Sequence, residues 1–440
     1  MKYRYRTDEE MKDSGVEWLG KIPKEWEIKR NKDLFKIDKN IVGENSSKYK
    51  VLSLTMKGVI ERDLSENAGK IPATFDGYQI VNRDSLLLCL FDMDVTPRIS
   101  GYVSQEGIVS PAYTNLNKKY EYISNKFYSY WFFKLDSEKI LLSYSKSLRN
   151  TLTNENFMSL NIISNELEEQ VKIATFLDEK TSQFDSIISK KEALIEKLEE
   201  AKKSLISEVV TGKVKVVKTE EGYDIVPRKP EEMKDSGVEW LGLVPKEWEL
   251  KRLKYLFKIK KDIARKLGYD VLSVTQSGIK IKDITKNEGQ LSMDYSKYQL
   301  VNKNDFVMNH MDLLTGFVDC SKFNGVTSPD YRVFKLINSC NSRKYYNYIF
   351  QSCYYNKIFY GLAQGVSGMG RWRLQTDKFL NFTLPLPTIE EQLIVSEILD
   401  NKIKNIDILK NKLKLNIQKL KEAKQSLITE AVTGKIEILD

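Results

Sequence analysis

His310 is the one histidine in a chain of 440 residues, and that scarcity removes several chemistries at once. A histidine-based metal cluster, a Ser-His-Asp triad and a Cys-His pair each need an imidazole, and most metal sites need more than one. Four cysteines, Cys89, Cys320, Cys340 and Cys353, form no C-x-x-C pair and read as free, buried thiols. No G-x-x-x-x-G-K-[ST] is present, because "TGKV" lacks both the upstream glycine and the hydroxyl. "GVSGMG" at Gly365–Gly370 departs from the G-x-G-x-x-G order and follows no predicted strand, so a flexible loop is expected there.

"SPAY" (Ser110–Tyr113) and "SPDY" (Ser328–Tyr331) look like the Asn/Asp-Pro-Pro-Tyr signature of amino-methyltransferases. Here the first residue is serine, the second proline is missing, and no glycine-rich cofactor loop accompanies them. A serine hydroxyl and one proline suit a turn leading into a strand. "PDYRVFK" suggests a nuclease Pro-Asp motif, yet no Glu-x-Lys follows, and Ala112 stands where the other copy has Asp330. The chain is therefore expected to have no catalytic residues, no metal and no cofactor of its own. What remains are groups suited to phosphates and base edges. Arg149 and Arg371 each precede an expected helix start, a setting that suits an anion. Lys57, Arg98, Gln276, Asn309, His310 and Arg373 complete the set of candidate DNA-binding side chains.

Net charge is +9, with Lys and Arg spread along the chain, which is compatible with a polyanionic partner. No run of about 18 apolar residues occurs, so no membrane span is expected. "MKYRYRTDEE" lacks an apolar core for a secretory signal, so the cytoplasm is expected.

The elements that must position these residues come as an internal duplication. "MKDSGVEWLG" runs Met11–Gly20 and again Met233–Gly242, and "PKEWEIKRNKDLFKI" at Pro23 returns at Pro245 as "PKEWELKRLKYLFKI". "VLSLTMKG" and "VLSVTQSG", "YQIVN" and "YQLVN", and "GIVSPAY" and "GVTSPDY" continue the match. The offset is 222 at both ends and falls to 220 and 218 between, so the two copies share a fold with small loop differences. Trp18, Leu19, Trp240 and Leu241 are unchanged between copies and are expected to pack rather than read DNA.

Within each copy, short strands such as "KVLSL" and "SLLLCLF" alternate with turns. Aromatic-rich helices follow, at "NKFYSYWFFKLDSEKILLSYS" and "SRKYYNYIFQSCYYNKIFYGLA". This reads as an α+β domain. A long helix follows in each copy. Leu177, Phe184, Lys191, Leu198 and Leu205 are spaced by seven, as are Leu399, Ile406, Leu413, Leu420 and Leu427. Ile187, Leu194, Ala201, Leu409 and Ala423 are expected to fill a three-residue offset beside them, with Lys191 and Asn416 as polar interruptions. Each helix would span about 60 Å at about 1.5 Å per residue. Neither can bury its stripe alone, and the economical solution is for the two to pair. A two-fold relation between copies makes that pairing an antiparallel coiled coil. Gly212 and Gly434 in "VTGK" are expected C′ residues. The expected boundaries are globular domains at 1–165 and 232–387, helices at 166–212 and 388–434, a linker at 213–231 and a tail at 435–440.

"SGVEWLGKIPKEWE", the "EEQ…FLD" helix start, the "AKKSLISEVVTGK" helix end and the duplication together resemble the specificity subunit of type I restriction–modification systems. The resemblance implies two target-recognition domains, each reading one half of an asymmetric bipartite site in double-stranded DNA. It implies that the helices set the spacer and dock two methylation subunits, which carry S-adenosylmethionine. Restriction subunits, with ATP and magnesium, would complete the nuclease. One departure is visible: "LPLPTIEEQ" precedes the second helix, whereas "IISNELEEQ" precedes the first. Two other classes make different predictions. A lone methyltransferase or nuclease would bind cofactor or metal by itself. A coiled-coil scaffold without a DNA role would show no salt-sensitive affinity for duplex.

Overall fold

Ser124 and Ser342 each accept a hydrogen bond from the backbone N–H three residues on, Phe127 and Tyr345, both at 3.3 Å. These N-caps satisfy a donor that the first helical turn leaves unpaired. The computed structural model describes residues 1–64, 72–96, 98–145, 150–220, 222–283, 294–365 and 372–439. Among them the long helices are α1 (Asn125–Ser137), α2 (Leu167–Val210), α3 (Arg343–Tyr355) and α4 (Ile389–Val432). The chain divides into two compact units, residues 1–192 with 414–440, and residues 193–413. Each unit thus takes a globular domain, part of α2 and part of α4.

In the first unit a four-stranded antiparallel sheet orders Ser100–Tyr102, Leu86–Leu88, Thr114–Lys118 and Phe35–Asp38. Alternate residues of these strands turn toward α1, whose aromatic side chains fill the space. Phe127, Tyr128, Trp131 and Phe132 are fully buried, and Phe35 meets Tyr128 edge to face at 5.1 Å. Burying a large apolar side chain contributes roughly 1.5–3 kcal/mol, so this aromatic layer is the main support of the domain. The second unit repeats the plan with Phe257–Lys260, Arg332–Leu336, Phe306–Met308 and Val318–Cys320 under α3. Tyr345, Tyr346, Ile349 and Phe350 are the buried counterparts. The α+β reading and the aromatic helices are as the sequence predicted.

The long helices pair antiparallel inside each unit. In the first, Asp185 of α2 meets Lys424 of α4 at 2.6 Å and Glu192 meets Lys421 at 3.8 Å, so one helix ascends as the other descends. In the second, Lys202 meets Asp407 at 3.0 Å and Glu199 meets Lys410 at 2.6 Å. Leu177 and Leu399 are buried, while Phe184, Leu198, Leu205, Ile406, Leu413, Leu420 and Leu427 are half-buried. The companion row differs from the expectation. Ile187, Leu194 and Leu409 are 44–50% exposed, and Ala201 and Ala423 are exposed as well. The inward companions lie four residues along instead of three. Ile188 and Ile417 are buried, Ile195 and Ile403 are half-buried, and so are Lys202, Lys410 and Lys424. The lysines lay their alkyl stems along the seam and send their charges to carboxylates on the other helix. Asn416 is exposed and interrupts nothing.

Both helices stop in the same way. Gly212 N–H donates to Val209 O and Lys213 N–H to Glu208 O, and Gly434 and Lys435 repeat this with Ala431 and Glu430. This is the Schellman arrangement, and its C′ residue is left-handed, with φ of 76° at Gly212 and 70° at Gly434. A Cβ on Gly212 would lie 2.4 Å from Pro245, and one on Gly434 would lie 2.4 Å from Pro23. The helix end of each copy therefore packs on the opening segment of the other copy. Residues read as a linker continue this exchange: Val214–Thr219 and Gly222–Pro227 form an antiparallel hairpin in the second unit. In the first unit its place is taken by Lys2–Tyr5 paired with Ile436–Leu439.

Candidate nucleic-acid interface

The framework motifs turn out to be joints. Glu169 accepts from the Trp26 indole N–H at 2.6 Å and from Arg6 at 2.9 Å. Glu391 does the same with Trp248 and Arg228, both at 2.8 Å. Burial pushes the Glu391 carboxyl up, against the pull of the Trp248 and Arg228 hydrogen bonds. The neighbouring glutamine of "EEQ" reaches the start of the aromatic helix. Gln170 Oε1 accepts from Ser124 N–H at 2.8 Å, and Gln392 Oε1 from Ser342 N–H at 2.9 Å. Asp178 accepts from the Tyr130 hydroxyl at 2.6 Å and lies 3.2 Å from Lys126. Asp400 holds Tyr348 at 2.5 Å and also Lys344. Each globular domain is thus pinned to its long helix by the same polar set. Trp18 and Trp240 belong to this framework too. Trp18 lies under the buried Lys134 ammonium at 4.6 Å, and Trp240 stacks on Phe382 at 5.1 Å.

"SPAY" and "SPDY" are turns leading into strands, as their composition predicts. Tyr113 N–H closes on Ser110 O at 3.1 Å and Tyr331 N–H on Ser328 O at 3.0 Å. A buried glutamine that the sequence reading passed over ties each one down. Gln79 Nε2 donates to Tyr113 O at 2.6 Å, and Gln299 Nε2 to Tyr331 O at 2.8 Å. The invariant "YQ" of both copies was the available signal.

Against this constant scaffold, the variable residues gather at matched edges. In the first unit, hairpin Leu52–Thr55 and Gly58–Glu61 presents Lys57, exposed, at its tip. Arg98 closes the adjoining loop: Nε donates to Ser100 O at 2.8 Å and Nη1 to Met56 O at 3.4 Å, with the guanidinium 5.2 Å over the Phe133 ring. Lys57 and Arg98 line one cleft, together with Lys126 and Lys424. In the second unit the equivalent hairpin, Leu272–Thr275 and Gly278–Ile281, carries Gln276, whose Nε2 reaches Thr315 O at 3.4 Å. Thr315 belongs to a loop organised by Asp312, which accepts from Leu314 N–H and Thr315 N–H. Asn309 and His310 begin that loop, and the Leu374 N–H donates to His310 O at 3.0 Å. Arg373 is exposed beside it and donates from Nε to Met311 Sδ. The structure thus brings Lys57 with Arg98, and Gln276, Asn309, His310 and Arg373 around one loop. Arg149 and Arg371 lie outside the described residues.

Burial drives the His310 imidazole down to about 3, with Arg332 and Arg373 adding repulsion. It is therefore neutral at ordinary pH. Burial also raises the thiols of Cys89, Cys320 and Cys353, that of Cys320 to about 12, so none is poised as a nucleophile. Among the described residues no group of His, Cys, Asp and Glu could hold a metal, and no helix is long and apolar enough to cross a membrane.

Residues 245–419 match the family model described as type I restriction modification DNA specificity domain. At the repeat offset of 222, residues 23–197 are the other copy of the same segment. The chain is similar to type I restriction–modification specificity subunits. One similar relative is the type I restriction enzyme MjaVIII specificity subunit of Methanocaldococcus jannaschii. It is 26% identical over 442 residues, covering 95% of this chain and 94% of the relative. A solved chain from work on assembly and conformational transition of the type I R-M system shares the fold, with a TM-score of 0.66 and 13% identity. It covers 94% of this chain and 99% of that one. The chain therefore has the duplicated α+β fold, with long helices paired inside each unit, that its sequence predicts.

Proposed function

We propose that this chain is a type I specificity subunit that reads double-stranded DNA through two separate edges, one per unit, each addressing one half of a bipartite target. The observation that carries the proposal is the division between constant and variable residues. Joints such as Glu169–Trp26 and Glu391–Trp248 are identical in both units, while the matched edges differ, with Lys57 and Arg98 in one unit and Gln276, Asn309 and His310 in the other. A two-headed reader of an asymmetric site needs a repeated support and unlike reading loops. The chain supplies recognition and no catalysis. Two methylation subunits docked on the paired helices bring S-adenosylmethionine, and restriction subunits bring ATP and magnesium. The helices set the spacing between half-sites.

Mapping methylated adenines genome-wide, in cells with this protein and its methylation partner, returns the target. Transplanting the loop 309–316 from a homologous subunit is expected to change one half-site and leave the other. A change in both half-sites contradicts the two-reader arrangement. Inserting one matched seven-residue block into both helices is expected to lengthen the spacer, and an unchanged spacer removes the ruler role. Affinity for duplex is expected to fall steeply with salt as phosphate contacts release counterions. Salt-insensitive or absent duplex binding would favour a protein scaffold.

A further inference from the structure

Arg332 is 4% exposed and yet pairs with no carboxylate among the described residues. Its Nη2 donates to Leu374 O at 3.0 Å and Thr376 Oγ1 at 3.3 Å, and its plane lies 4.5 Å over the Phe379 ring. Among the described residues its Nη1 has no hydrogen-bond partner, and neither does Nδ1 of His310. A buried guanidinium without a counter-charge is costly, because the charge has left water and gained only neutral acceptors. Proteins rarely keep such a group unless something anionic completes it.

The surroundings fit that description. A cavity of about 240 Å³ is lined by Lys260, Lys261, His310, Tyr331, Arg332 and Thr376, among others, and no carboxylate lines it. Lys260 is already committed to Asp305 at 2.6 Å. Lys261 lies exposed at the rim. Arg373 adds a further charge close enough to disfavour protonation of His310.

Among the described residues the first unit has nothing equivalent. Leu152 N–H donates to Leu90 O as Leu374 N–H donates to His310 O, which makes Leu90 the counterpart of His310. Thr114 stands for Arg332 and bonds Asn154 at 2.7 Å, a neutral pair, and Thr151 stands for Arg373. Two arginines and an imidazole in one unit replace Thr114, Thr151 and Leu90 in the other, at positions the framework holds constant.

We propose that Arg332, His310 and Arg373 form an oxyanion site in the second unit that takes a backbone phosphate of bound duplex. The site rests on the DNA-recognition reading and adds to it an anchor that is independent of base sequence. Arg332 supplies the charge and a fixed Nη1 donor, Arg373 closes from the exposed side, and His310 donates once protonated against the phosphate.

The lone histidine makes the test direct. Full-length protein carrying ¹³C-labelled histidine gives one imidazole signal, observed with and without a short mixed-sequence duplex, and separately with inorganic phosphate. Duplex is expected to shift the signal and raise its titration midpoint. Arg332→Met is expected to abolish the shift, weaken duplex binding about tenfold whatever the sequence, and lower the salt slope by about one. Arg373→Gln, at an exposed position, is expected to do the same more weakly without any risk to folding. A signal unmoved by duplex that the wild-type chain demonstrably binds overturns the site and leaves DNA recognition intact. A signal moved by inorganic phosphate but not by duplex overturns the assignment to DNA. A wild-type chain that retains no duplex overturns the recognition reading itself, and with it the source of the phosphate.

Discussion

Lys424 Nζ lies 2.6 Å from Asp185 Oδ2 across the antiparallel helices of the first unit. Its repeat counterpart, Lys202, lies 3.0 Å from Asp407 in the second. The same contact made twice shows that the register of the helix pair is a property of the repeat. Asp185 is 62% exposed, so the contact is screened and contributes little to stability. Lys424→Ala is expected to cost less than about 1 kcal/mol in urea unfolding. Lys424→Asp is expected to cost more, and Asp185→Lys added to it is expected to recover most of the loss.

Gly434 combines two constraints that can be separated. Its φ is +70°, and an added Cβ would meet Pro23 at 2.4 Å. Gly20 has the same φ with open space around it. Gly20→Ala is expected to cost about 1–2 kcal/mol, the left-handed backbone penalty alone. Gly434→Ala is expected to cost clearly more, because the helix end must move off the opening segment it packs against. Equal losses in denaturant unfolding would show that the Pro23 contact is slack.

The seam of the helix pair makes its own prediction. Ile417 is 8% exposed and Leu409 is 50% exposed. Ile417→Ala is expected to cost about 2–4 kcal/mol, as deletion of buried methyl groups does. Leu409→Ala is expected to stay within about 0.5 kcal/mol. The reverse order would restore the three-residue companion row that the sequence suggested.

His310 links stability to pH. Its folded pKa, about 3, lies below its ordinary value of 6.5. Below about pH 6.5 the unfolded chain binds a proton that the folded chain refuses, so stability is full above that pH and falls as pH drops toward 3. Replacement by glutamine is expected to flatten the stability profile in that window, read as Tm against pH beside wild type. Identical slopes in the two proteins would show that the imidazole is solvated.

Much of this protein is legible in its residues because the chain states its plan twice. The offset of 222, the unchanged "VEWLG" and "PKEWE", and the sevenfold spacing of Leu177 to Leu205 and Leu399 to Leu427 establish duplication and paired helices. Ser110 and Pro111 specify a turn by their own backbone preferences. Gly212 and Gly434 mark helix ends for the same local reason, since only a residue without Cβ adopts that φ cheaply. The single histidine leaves no histidine-based triad or multi-histidine metal cluster to assemble.

Three matters were left to tertiary structure, each because the deciding partner is remote in sequence. A sevenfold repeat is satisfied by a companion row three or four residues along. Docking of Ile173, Phe176 and Leu177 into the first core fixes the rotation of α2, and that choice turns Ile188 inward and Ile187 outward. The pairing of helix ends with opening segments is equally open in the sequence, because both copies carry both motifs. Only the folded chain shows Gly212 against Pro245 and Gly434 against Pro23. Arg332 looked like an ordinary strand residue beside a turn. Its meaning comes from being buried without a counter-charge next to His310, and burial is a property of the whole domain that no local pattern encodes.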